Sequence, residues 1–216
     1  DGVGNIEGLL PGDSRNHYGG SDDNDNSGVL RYVSLRHGGT DIGEANEING
    51  LTLGSVGRGT QIDHIEVLCN DDDGIEFFGG TVDVKYATVM FCNDDYIDWD
   101  QGWRGRLQYI YGVQLPANGD LGAQGDEGFE SDGDDQDSGN LPYTDPIVYN
   151  STMIGRGSNR GVLAKELTRG QISNSIFCNF AAGVGSFTRL CSTSASYLQH
   201  GPGWSVRPVS RFFPRH

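Results

Sequence analysis

Residues 60–102 carry one pattern written twice, 22 positions apart. Ile62 meets Val84, Val67 meets Val89, Ile75 meets Ile97, and Phe77 meets Trp99. The polar corners repeat as well: Asp72 meets Asp94, Asp73 meets Asp95, and Glu76 meets Asp98. A unit this short cannot bury an apolar face alone, so copies must stack and share one core. Two short alternating strands per copy, joined by Asp/Gly-rich corners, predict one coil of a parallel β-solenoid. Successive coils then sit about 4.8 Å apart, and equivalent residues form ladders.

The register extends in both directions. Residues 29–37 read as a strand in which Leu30, Val33 and Leu35 match Ile62, Ile65 and Val67 at an offset of 32. Ile48, Leu51 and Leu53 begin a second wall; Gly38 to Asn46 form a corner loop. Residues 107–113, 148–154 and 172–177 supply further first-wall strands, Phe129 to Asp132 repeats the second-wall pattern, and Val162 to Ala164 lies between the last two first-wall strands. The expected fold is an all-β, right-handed parallel β-helix with coils of about 22–32 residues. Thirty-four glycines against seven prolines suit its many tight corners.

One elongated domain is expected over residues 1–185. Residues 186–216 break the pattern: they hold four Arg and no Asp or Glu. They read either as a foreign or frame-shifted tail or as a cap with its own packing. The chain opens without Met or a signal peptide, which suggests a processed or fragmentary start. A formal net charge of −15 argues against a nucleic-acid partner. No apolar run approaches the length of a membrane span. Cys69 and Cys92 end neighbouring strands one coil apart; a bridge and two buried thiols are both open readings.

Asn26 to Gly39, Asn46 to Gly54 and Asp73 to Val82 resemble a broad family of secreted or surface-attached bacterial parallel β-helix proteins, largely uncharacterised. The resemblance spans residues 6–180. It implies export to the cell surface or beyond, and little about activity.

The second wall alternates in and out. Ile75, Phe77, Ile97, Trp99 and Phe129 are expected in the core, which turns Glu76, Asp98, Asp100, Glu130 and Asp132 outward. Such a lattice of carboxylates needs solvation, protons or a cation. The corner pair Asn70–Gly74 and Asn93–Asp95 is similar to the acid motifs of the polygalacturonase-like glycoside hydrolases, also β-helices. That likeness makes Asp73, Asp94 and Asp95 the candidate catalytic acids of an inverting hydrolysis. The hydrolases' downstream G-H-G and R-I-K segments are missing. Trp103, Arg104 and Lys165, with Glu76, Asp98, Asp100 and Glu130, are candidate substrate contacts.

Two stretches have calcium-loop character: Asp23, Asp25 and Ser27 before Gly28, and Asp132, Asp134 and Asp137. Calcium is therefore the candidate cofactor. Gly80 to Asp83 also resembles part of the pectin methylesterase signature, with Asp83 as nucleophile and Arg104 beside it. A calcium-dependent lyase needs a basic residue, for which Lys165, Arg104 and Lys85 are candidates. The reading is an extracellular acidic β-helix that acts on or binds polysaccharide. A non-catalytic calcium-binding surface or adhesion module is its main rival. Oligomeric state is not legible.

Overall fold

A computed structural model describes residues 3–6, 13–40, 42, 48–115, 125–133, 141–186 and 204–207. A short antiparallel hairpin comes first, β1 (Val3–Asn5) and β2 (His17–Gly19). Then follow β3 (Val29–Arg36), β4 (Leu51–Gly54), β5 (Gln61–Leu68), β6 (Ile75–Phe78), β7 (Asp83–Met90), β8 (Ile97–Asp100) and β9 (Arg106–Val113). The later coils supply β10 (Phe129–Ser131), β11 (Ile147–Tyr149), β12 (Thr152–Ile154), β13 (Arg160–Ala164), β14 (Gly170–Ser173), β15 (Ile176–Cys178), β16 (Ala182–Ser186) and β17 (Trp204–Arg207).

After the hairpin every described pairing is parallel. One sheet runs β3-β5-β7-β9-β11-β14-β17, with β12 and β15 beside it; the other runs β4-β6-β8-β10-β13-β16. The fold is a parallel β-helix. The doubled unit pairs as its spacing predicts: Ile62 on Val84, Val67 on Val89, Ile75 on Ile97. The 32-residue offset also holds, with Leu30 on Ile62 and Leu35 on Val67.

The coil has three walls where the sequence suggested two. Each long first-wall strand bends at one residue with positive φ: Tyr32, His64, Tyr86 and Tyr109, at 54°, 55°, 54° and 61°. The pairing skips these positions, so each strand is two legs meeting at a corner. In later coils Asn150 and Asn174 take the same place, and there β11 is separate from β12 and β14 from β15. Left-handed backbone is costly for residues other than glycine and least so for Asn and Asp. In the first four coils the corner rings stack outside the solenoid, at 4.5, 4.7 and 4.9 Å between centroids. Such aromatic pairs are worth about 0.5–1.5 kcal/mol each, which offsets part of the strain.

The core is a set of ladders. Ile75, Ile97, Phe129 and Val162 are fully buried and consecutive in register, so the expected second-wall ladder is present. Phe77, Trp99 and Trp103 form a second stack, with Trp103 4.1 Å from Phe77 and 5.6 Å from Trp99. Burying each such side chain contributes roughly 1.5–3 kcal/mol. Cys69, Cys92 and Cys178 are free thiols, so no Cys69–Cys92 bridge forms. Cys191 lies outside the described residues.

Two described strands reach past residue 185. β16 reaches Ser186, and β17, from the atypical tail, pairs in parallel with β14.

Candidate functional site

The acidic residues are organised by the second wall and the corner before it. Gly74 keeps the corner tight: a Cβ there would lie 2.7 Å from the Tyr96 carbonyl and 2.2 Å from Val89. Backbone bonds stack the corners of successive coils, Gly50 N to Asp73 O at 2.8 Å and Gly74 N to Asp95 O at 2.9 Å. Acidic side chains extend this spine. Asp73 Oδ1 accepts from Asp95 N at 2.8 Å, and Asp95 Oδ1 from Glu127 N at 2.5 Å. Glu127 in turn accepts from Arg160 N at 2.5 Å and from its guanidinium at 2.6 Å. Two of the three candidate catalytic acids thus bond to the backbone of the next coil. Asp94, the third, is exposed.

From the corner the strands carry acids outward as the alternation predicts, but not into water. Glu76 is 4% exposed, and Asp98 and Asp100 are each 8% exposed. Of solvation, protons and a cation, solvation is therefore the answer that burial removes for these three acids. Asn49 donates to Glu76, and the β1–β2 hairpin covers the far end of the wall. There Tyr18 packs on Phe78 at 5.9 Å and its hydroxyl donates to Gln101. Phe78 holds the outward ladder position that Asp100 takes in the next coil.

Burial pushes the carboxyls of Asp73, Asp95 and Asp98 well above the usual range, and neighbouring acids add to the shift. Asp132 is pushed up to about 7 by burial and by Glu130, against the pull of Lys165. Lys165 bonds Glu130 and Asp132, both at 3.0 Å, and is the cation of the open end of the lattice. Burial lowers its pKa, but the two carboxylates outweigh this and hold it above the usual value.

Among the described residues, two groups of acids bring ligand atoms within 4.8 Å of one another: Asp72, Asp73 and Asp94, and Asp73, Glu76 and Asp98. Both share Asp73. Asp73 and Asp94 each bring a carboxylate oxygen within 4.8 Å of the other, close enough to share one ion.

Other candidates are placed elsewhere. Trp103 is fully buried between Phe77 and Trp99, its indole N–H donating to Val82 O at 3.3 Å, so it offers no face to a sugar. Asp23 is paired with Arg58 at 3.4 Å and Arg104 at 3.0 Å, and Ser27 donates to Asp25 at 2.8 Å. These bonds fasten the 22–27 loop to later coils and take Arg104 away from the second wall. Asp83 faces Arg106, not Arg104, which removes the geometry of the esterase reading. Asp134 and Asp137 lie outside the described residues, and Asp132 is engaged by Lys165. Asn49 was missed by the sequence reading. Its position one coil before the Asn70–Gly74 corner was the available signal.

No helix is long and apolar enough to cross a membrane among the described residues. No curated protein and no solved structure matches the chain. A likeness to the polygalacturonase-like hydrolases is not shown. Residues 12–191 match the pectate-lyase-like β-helix domain, and with this match, the parallel coils and the outward acids of one wall, the chain belongs to the pectate-lyase-like β-helix family.

Proposed function

We propose that this is an extracellular polysaccharide-binding β-helix whose glycan lies along the outer face of the second wall. The observation that carries this reading is the Lys165–Glu130–Asp132 cluster. It combines a fixed ammonium with two carboxylates, and its side chains are 14–24% exposed, more open than Glu76 and Asp98. Such a cluster can donate to and accept from sugar hydroxyls. Membership of a pectate-lyase-like family supports the substrate class and an exported location. Affinity electrophoresis against neutral and acidic polysaccharides tests it. At least one gel should retard the protein, and Lys165→Ala should relieve the retardation. If no polysaccharide retards the wild type, the reading is wrong.

A hydrolytic version has one specific support: Asp132, with a pKa near 7, has the protonation behaviour of a general acid. It predicts release of reducing ends that Asp132→Asn abolishes. A lyase using Lys165 as base is disfavoured, because the paired ammonium holds its proton.

A further inference from the structure

We infer that Asp73, Glu76 and Asp98, with the amide oxygen of Asn49, form a closed site for one hard divalent cation, calcium by preference, that staples three successive coils. This does not rest on the polysaccharide reading. The site is also not a place where a polymer meets an ion, because Asn49, Glu76 and Asp98 are each under a tenth exposed.

The first observation is geometric. Asp73 and Glu76 belong to the coil of β6, Asp98 to the next coil in β8, and the three offer oxygens within 4.8 Å of one another. Asn49 belongs to the preceding coil, where it donates to Glu76. The corners of the three coils are already joined by backbone bonds, so the three carboxylates converge on a rigid frame.

The second observation points to a ligand. Asp98 Oδ1 is buried and has no hydrogen-bond partner; the same is true of Asn49 Oδ1. A carbonyl oxygen can only accept, so the Asn49 atom needs a donor or a cation. A cation answers both orphans at once. Three carboxylates and an amide oxygen form an all-oxygen donor set, which favours calcium or magnesium over softer metals, and calcium tolerates irregular geometry better.

The loop at Asp23 and Asp25 supplies the contrast. Its carboxylates are exposed and already bonded to Arg58, Arg104 and Ser27. A calcium effect from that loop would therefore be lost in Asp25→Asn and kept in Asp98→Asn.

The test uses thermal melts of the whole chain in EDTA and in millimolar calcium, with equilibrium dialysis of calcium. Calcium at about a hundredfold excess over its Kd should raise the wild-type midpoint by about 5–10 °C. Asp98→Asn and Glu76→Gln should lose that rise and one bound ion per chain, while Asp25→Asn keeps both. The order of stability should also invert. In EDTA, Asp98→Asn should melt at or above the wild type, because it removes a buried like charge, and in calcium it should melt below. That inversion separates loss of a ligand from simple misfolding. Identical wild-type melts in EDTA and calcium, a calcium response that survives in Asp98→Asn, or one lost in Asp25→Asn would each overturn the proposal.

Discussion

At the scale of single residues, the acids of the corner have a backbone duty that accounts for their burial. Asp95 sits on Glu127 N and Asp73 on Asp95 N. Deleting the Asp95 carboxyl with Asp95→Ala leaves a buried N–H unmatched, a loss of about 1–3 kcal/mol in urea unfolding. Asp95→Asn keeps an acceptor oxygen and should lose clearly less. An equal loss in both variants would show that charge, not the hydrogen bond, is what Asp95 supplies. The sequence marked these acids as important through their repetition. It did not show what each carboxylate faces, because a side chain's partner in a solenoid comes from the coil above or below.

At the scale of the element, the first-wall strand is the instructive case. Its inward residues are Ile62, Ile65 and Val67, and the three-residue step between Ile62 and Ile65 breaks strict alternation. That break coincides with the corner at His64, but an irregular step alone does not tell a bend from a bulge, so the strand read as one wall. The corner makes a prediction. His64→Val places a β-branched residue at a φ of 55° and removes the middle of the ring stack. It should cost about 1–3 kcal/mol in urea unfolding. His64→Asn, which tolerates that backbone, should cost less. If the two variants lose stability equally, the stacking and not the backbone dominates the corner.

At the scale of the whole molecule, charge and pH act on the buried lattice. The folded-state pKa of Asp132, about 7, lies above that of an unfolded Asp. The folded form therefore binds more protons between those values, and this group's stabilising effect is full at acid pH and lost as pH rises from about 4 to about 7. Asp73, Asp95 and Asp98 shift in the same direction. In EDTA the melting temperature should fall between pH 5 and pH 8. Asp132→Asn should make that fall shallower. A melting temperature that rises over this window would mean the acids are solvated and ordinary.

The sequence by itself determined the coil period, the parallel pairing, the inward ladder of Ile75, Ile97 and Phe129, and the outward alternation of the acids. Each follows from periodicity, which a linear pattern carries in full. Only the tertiary structure decided that the coil has a third wall, that Trp103 lies inside, and that Arg104 faces Asp23. It also decided that Glu76 and Asp98 are shut from water, and it brought Asn49 to Glu76. The reason is physical. Alternation sets the direction in which a side chain leaves its strand, whereas burial, charge pairing and pKa depend on what another coil or the hairpin lays over it.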